Sequence, residues 1–502
     1  MSEMAQSVDP RRWKALVFIA LAQLMVVLDA TIVNIALPSA QADLGISDSN
    51  RQWVITAYAL AFGGLLLFGG RVADLWGRKQ TFIVGLIGFA AASALGGAAF
   101  NTPMLLGSRA LQGIFGALLA PAALSLLAVM FVDAKERAKA FGIFGAIAGG
   151  GGALGLILGG VLTEYLNWRW TFFVNIPFAV IAVVSAIAVI REPAGGRNPA
   201  KIDVPGVLLV TLGLVSLVYA FTRAETDGWT AGITLGLFAV AAVLLAAFAV
   251  VESRVKAPLL PLRVVTDRNR GGVYLSLGLA VIGMFGLFLF FTYYLQAVKG
   301  FSPVQTGLAF LPLMAGMVIG STQIGTRLMT RLPARLLMGP GFLGAAAAMV
   351  LLTQIDLDTS YPAVILPSFL LVGIGMGTAV MPAMSLSTHG VQPGDAGVAS
   401  AMVNTSQQVG GAIGTALLST IATSATTEYG RSHAAGAPSR QALELQSMVH
   451  GFTTALWWTI GILVLAAAVA MALVNARRQD GSQTAAGSGK EGAGDSTPAM
   501  TH

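Results

Sequence analysis

Fourteen apolar runs, each close to the length a helix needs to cross a bilayer, divide this chain almost from end to end. They fall at 14–38, 52–71, 80–100, 103–130, 138–163, 169–190, 204–223, 229–251, 272–298, 304–328, 335–354, 363–386, 397–424 and 451–475. A soluble fold has no means of hiding so much apolar surface. Only 11% of the 502 residues are charged, against about 25% in soluble domains, and the mean hydropathy is +0.76. The expectation is an all-α integral membrane protein with no large soluble domain. The first run is too long for the core of a signal peptide and lacks a cleavage site, so it counts as a membrane helix.

The few charges collect between the runs. If the N-terminus is cytoplasmic, the inner segments hold 23 Lys and Arg residues, and the outer ones hold Arg51, Arg169, Arg223, Lys299, Arg431 and Arg440. Positive loops stay inside, so a multi-pass protein of the cytoplasmic membrane with both termini cytoplasmic is expected. The same placement explains the net charge of +7 without a nucleic-acid partner. The remaining basic residue, Arg109, lies inside a run. The absence of cysteine excludes disulfides, thiolate metal sites and cysteine nucleophiles. Residues 476–502, rich in Gly, Ser, Ala and Thr, are expected to form a disordered cytoplasmic tail. Gly489-Lys490 in that tail is a fragment of a phosphate loop, but Glu491 stands where Ser or Thr is required and no strand precedes it. Without a nucleotide site, an active transporter here would run on an ion gradient.

Four segments carry a family resemblance. Gly70-Arg71-Val72-Ala73-Asp74-Leu75-Trp76-Gly77-Arg78-Lys79, between the second and third runs, resembles the loop signature of the major facilitator superfamily. Leu28-Asp29-Ala30-Thr31-Ile32-Val33-Asn34-Ile35-Ala36-Leu37-Pro38 and Trp168-Arg169-Trp170-Thr171-Phe172-Phe173-Val174-Asn175-Ile176-Pro177 resemble segments of its 14-helix drug:proton antiporter branch. Arg109-Ala110-Leu111-Gln112-Gly113 is similar to a further superfamily motif. The resemblance covers residues 14–475 and implies the major facilitator fold with 14 transmembrane helices. Its parts would be an N-terminal six-helix bundle (14–190), an inserted helix pair with cytoplasmic linkers (191–271) and a C-terminal six-helix bundle (272–475). A substrate cavity between the bundles would open alternately to each side.

Inside the loop signature, Gly70 and Gly77 allow a tight turn and close packing. Asp74 is suited to accept from a helix N-terminus or to pair with a neighbouring arginine. With Arg78 these residues form a candidate conformational latch; a merely solvated basic turn is the plainer reading. The corresponding loop of the second half, Gly325 to Arg335, keeps its basic residues and lacks the aspartate.

Asp29 is the sharpest single residue, because a carboxylate inside a membrane helix faces a cavity or a partner. Nine residues from Pro38 at 1.5 Å each place it about 13 Å below the outer end; six residues from Pro103 place Arg109 about 9 Å deep. Two opposite charges at similar depth are candidates for proton coupling, with Asp29 taking up a proton or meeting a cationic substrate, and proton uptake responding to whether Arg109 is near or apart. A structural ion pair that fixes helix packing is the alternative.

The fifth run carries Gly151, Gly155 and Gly159 at four-residue spacing, followed by Gly160, a small-residue face for close helix contact. It resembles the antiporter motif of exporters, except that Leu156 stands where proline usually follows glycine. Candidate cavity-lining residues are Asn34 and Gln112, then Asn404 and Gln408 in the thirteenth run. Met284, Phe288 and Phe291, on one face of the ninth run, suit large apolar or cationic ligands. Interhelical bonding or lipid contact would explain each of these as well.

The reading is a proton-coupled exporter of drugs or antibiotics, not an enzyme, with no cofactor or metal. Its partners would be a drug-like, cationic or apolar small molecule, protons and membrane lipid, and it would act as a monomer. One proton supplies about 2.3 kcal/mol per 100 mV and about 1.4 kcal/mol per pH unit. Export of an endogenous metabolite, such as a self-made antibiotic, siderophore or lipid, is the alternative on the same fold. A non-transporting membrane scaffold would have no evident use for Asp29 and Arg109.

Overall fold

The computed structural model describes residues 11–131, 134–190, 203–255, 258–329, 331–387, 396–434 and 439–475; the 476–502 tail, with Gly489-Lys490, lies outside them. The helices are α1 (Arg12–Leu44), α2 (Trp53–Trp76), α3 (Arg78–Gly97), α4 (Thr102–Met130), α5 (Ala134–Tyr165), α6 (Trp170–Val189), α7 (Val204–Asp227) and α8 (Gly232–Arg254). They continue with α9 (Arg268–Val298), α10 (Pro303–Met329), α11 (Arg335–Leu352), α12 (Tyr361–Ser387), α13 (Ala396–His433) and α14 (Arg440–Leu473). Thirteen are long and apolar enough to cross a membrane over their described residues. The fourteenth, α5, has 32 residues and carries the chain across between α4 and α6. Fourteen crossings put both described ends on one face, where Arg335 reaches Asn475 and Arg12 grips Glu136 through two hydrogen bonds.

Helix pairing is the same in two halves of the chain. In the first, α2 and α3 both pack on α4, α1 packs on α5 and α6, and α3 touches α6. In the second, α10 and α11 pack on α12, α9 packs on α13 and α14, and α11 touches α14. These are two six-helix bundles. They meet through α2 with α13 and α5 with α10. The inserted pair α7 and α8 packs on itself and leans on α2 and α13, with Thr211 donating to the Gly64 carbonyl and Thr420 to that of Phe221. Along α8 the buried residues are Thr234, Ala241, Phe248 and Glu252, one narrow stripe; the rest of its apolar surface is turned outward, as lipid contact requires.

Several helices outrun their apolar runs. The chain stays helical through Pro38 to Leu44, through Arg71 to Trp76, and from Ser424 to His433, while α14 begins at Arg440 instead of 451. Hydropathy marks where lipid ends, whereas a helix ends only where its backbone bonds stop. The signature 70–79 is therefore mostly the last two turns of α2, with Gly77 alone breaking the helix at φ 113° and ψ 135°, a conformation open to glycine. Gly70 lies within α2, and a Cβ there would meet only Pro121 at 3.7 Å. The close contact belongs to Gly69, whose Cβ would lie 1.9 Å from the Ala117 carbonyl oxygen. The expectation that Gly70 serves a turn or tight packing is thus corrected: successive helix positions face different sides, and Gly69 faces α4.

Candidate coupling site between α1 and α4

Asp29 in α1 and Arg109 in α4 form an ion pair at 2.7 Å, with 0% and 1% of their side chains exposed. The two depths read from helix rise thus converge in space. Arg109 is held by more than the carboxylate. Its Nε donates to the Val54 carbonyl at 2.9 Å, Nη1 also donates to Gln112 Oε1 at 2.8 Å, and the guanidinium lies 4.4 Å over the Tyr58 ring. Its planar fork allows such simultaneous contacts, which a lysine ammonium does not reproduce.

Asp29 is equally bound. While Oδ2 faces Arg109, Oδ1 accepts from Gln112 Nε2 at 2.8 Å and Asn175 Nδ2 at 2.9 Å. Both amides also donate to Ser93 Oγ, at 2.7 and 3.2 Å. The network joins α1, α3, α4 and α6 through side chains that are all buried. Ser93, Asn175 and Tyr58 are partners that sequence reasoning did not assign. Asn175 lies in a segment already notable for its family resemblance, and an amide inside an apolar run needs a partner. Gln112, expected to line the cavity, is instead fully buried here, because its amide bridges Asp29, Arg109 and Ser93.

The glycine face of α5 packs on α1 beside this network. A Cβ on Gly155 would fall 2.0 Å from Thr31 Oγ1, one on Gly159 would fall 2.9 Å from Ile32, and one on Gly151 would fall 3.0 Å from Val27. Gly160 faces the other bundle, where a Cβ would lie 2.6 Å from the Pro303 carbonyl oxygen, and Gly307 answers it, where a Cβ would lie 2.4 Å from the Leu156 carbonyl oxygen. Leu156 is fully buried at this crossing.

At the face opposite the chain ends, the bundles are bridged. The Tyr293 hydroxyl donates to Gln41 Oε1, Arg51 lies 4.3 Å over the Tyr293 ring, Gln296 donates to the Ile35 carbonyl at 3.1 Å, and Glu164 accepts from the Val304 amide at 3.0 Å. Nearby, Asp43 accepts from Trp168 and Arg169, whose Nη2 reaches the Ala99 carbonyl. This clamp on α1 and the turn that follows α3 is a physical role for the start of the Trp168 to Pro177 segment.

The other candidates are scattered. Asn34 is buried, its Nδ2 donating to the Ala30 carbonyl at 3.1 Å and its Oδ1 lacking a partner. Met284 is buried in the second-bundle core, and Phe288 packs 5.1 Å from Phe310. Phe291 is 1% exposed and wedged 5.1 Å from Phe369. It therefore fills the core and does not line open space. Asn404 and Gln408 are half-buried on α13, with the Gln408 Cβ against Gly63 of α2. Arg78 opens α3, while the neighbouring Lys79 caps the end of α6 by donating to the Ile187 and Ile190 carbonyls at 3.0 and 2.7 Å. The Asp74 side chain lies outside the described residues.

Two six-helix bundles, an inserted pair and a charged network buried in one bundle define a multi-pass membrane transporter. The chain belongs to the Major Facilitator Superfamily, which residues 19–415 match. It is 50% identical over 489 residues to a puromycin resistance protein of Streptomyces alboniger, covering 97% of this chain and 96% of that one. It is 37% identical over 417 residues to a cephamycin export protein of Amycolatopsis lactamdurans, covering 82% and 85%. Its fold is similar to the crystal structure of a bacterial homolog of the human lysosomal transporter Spinster, with a TM-score of 0.66, 17% identity and coverage of 92% and 96%.

Proposed function

We propose that this protein expels antibiotic or drug-like molecules from the cytoplasm in exchange for protons. The observation that carries the reading is the Asp29–Arg109 pair, fully buried and shared among four helices. A proton on Asp29 removes the charge that holds Arg109, while Arg109 keeps the Val54 carbonyl, Gln112 and the Tyr58 ring. The guanidinium then keeps hydrogen-bond partners but no counter-charge, and α1 loses its strongest tie to α4. Because α1 carries Gln41 and packs on the glycine face of α5, its release loosens the bridge to Tyr293 and the crossing to α10.

In this reading the halves 14–190 and 272–475 rock about a central cavity, and the inserted pair 191–271 rides on one flank. The bridge at Gln41, Arg51 and Tyr293 is the outer gate. Asp74, Gly77 and Arg78 belong to the latch at the inner face, and Asn34, Phe288, Asn404 and Gln408 border the route of the substrate. The protein works as a monomer among lipids of the cytoplasmic membrane, with both termini inside. The likeness to a puromycin resistance protein over nearly the full length makes puromycin the first substrate to test.

The test is drug-driven proton movement in proteoliposomes. Puromycin added to liposomes carrying the wild type should release internal protons, and an uncoupler should abolish the drug gradient. Asp29→Asn should bind the drug and move no protons. Full drug-dependent proton flux by Asp29→Asn would overturn the coupling role. A broad drug panel with no uncoupler-sensitive transport would turn the reading to an endogenous metabolite.

A further inference from the structure

Among the described side chains, three acids are buried: Asp29, Asp203 and Glu252. The last two lie on the inserted pair, at the face of the chain ends. Asp203 caps α7, its Oδ1 accepting from the Gly206 amide at 3.0 Å. Glu252, near the end of α8, accepts from the Leu260 amide at 3.0 Å through Oε2. The two remaining oxygens, Asp203 Oδ2 and Glu252 Oε1, are buried without a hydrogen-bond donor. Both border one point, since a Cβ on Gly206 would lie 2.5 Å from the first and 2.9 Å from the second.

Two carboxylates buried against each other do not both stay ionised. A single proton supplies the missing donor: one acid becomes O–H and donates to the other oxygen. A divalent metal fits poorly, because calcium or magnesium needs about six oxygen ligands and, among the described residues here, only these two carboxylate oxygens are left over. The charged groups on neighbouring elements have other partners: Arg71 donates to the Pro258 carbonyl, and Arg270 pairs with Asp267 and the Val264 carbonyl.

We propose that Asp203 and Glu252 share one bound proton at neutral pH, a second proton site separate from Asp29. It closes the inner end of the inserted pair. The segment that leaves α8 for the second bundle is held on one side by Glu252 at Leu260 and on the other by Arg71 of the loop signature at Pro258. Loss of the proton would set two negative charges against each other and release that segment from α7 and α8.

Infrared spectroscopy of the purified full-length protein in lipid nanodiscs tests this. In the Asp29→Asn background, the carboxylic-acid C=O stretch should be present at neutral pH with the intensity of one group per chain and should disappear on alkaline titration. Adding Glu252→Gln or Asp203→Asn should remove it, because the amide then supplies the hydrogen permanently. If either variant fails to fold, the band in Asp29→Asn alone decides. The absence of a protonated carboxyl there, or a band that survives both replacements, would overturn the proposal. Neither outcome depends on drug transport, so failure here is separable from failure of the export reading.

Discussion

Asn175, at the start of α6, donates to the same oxygen of Asp29 that Gln112 of α4 reaches, at 2.9 and 2.8 Å. The carboxylate is therefore fixed from two helices before Arg109 is counted, and that arrangement sets the behaviour of variants.

Truncating Arg109 should be costly. Arg109→Ala leaves Asp29 charged and buried, and breaking such a pair from one side costs about 3–5 kcal/mol. Arg109→Lys should recover little, because it cannot serve Val54, Gln112 and Asp29 together. The double variant Asp29→Asn/Arg109→Gln should be more stable than Arg109→Ala while remaining inactive. Thermal unfolding in detergent, read with the proton-flux assay, checks all three.

Asn175→Ala should lower stability by about 1.5–3 kcal/mol, the range for a hydrogen bond to a charged group, with Gln112 still serving Asp29 Oδ1. Ser93→Ala should cost less, since Gln112 and Asn175 keep Asp29 as an acceptor. Denaturation midpoints of the two variants give the order.

The α1–α5 contact should tolerate no added methyl. Gly155→Ala puts a Cβ 2.0 Å from Thr31 Oγ1, and overpacking of this kind costs about 1–3 kcal/mol. Gly344→Ala in α11, where a Cβ meets nothing within 4 Å, should be neutral or stabilising by up to about 1 kcal/mol. Comparing their melting temperatures separates packing from glycine content.

The two glycines of the signature should part company. Gly77→Ala forces a residue with a Cβ to φ 113° and should cost about 1–3 kcal/mol, whereas Gly70→Ala has room and sits in a regular helix. Expression level and melting temperature of each variant provide the check; equal losses would count against the backbone explanation.

Tyr293→Phe removes the hydroxyl that bridges to Gln41. One hydrogen bond is worth about 1 kcal/mol, which corresponds to roughly a fivefold shift in a two-state equilibrium. The chain has no cysteine, so pairs of introduced spin labels on α1 and α9 report the opening of that face directly.

The scarcity of charge made Asp29 and Arg109 legible in the sequence, because only a membrane interior gives single charges such weight. Helix rise then put them at similar depth. Their uncharged partners were harder to read: Ser93 and Asn175 are small polar residues in apolar runs, where a bond to their own helix backbone is the common alternative. Phe291 was misplaced because an aromatic face reads alike whether it meets a ligand, lipid or Phe369. Helix ends were misjudged wherever, as at Thr426 or Leu443, the chain leaves the apolar layer and keeps its backbone bonds. The Asp203–Glu252 pair needed tertiary structure, since the two residues lie 49 positions apart at opposite ends of a helical hairpin.

The repeated pairing of helices gives the molecule an internal control. The second bundle assembles α9, α11, α12 and α14 as the first assembles α1, α3, α4 and α6, yet its described side chains include no buried acid or base. Among the described side chains, one copy of the pairing scheme thus stands without a buried ion pair at its heart. Cohesion of such a bundle comes from packed rings such as Phe291, Phe310 and Phe369 and from glycines laid against backbone, as Gly373 is against Leu313, so burying a charge pair is not a requirement of construction.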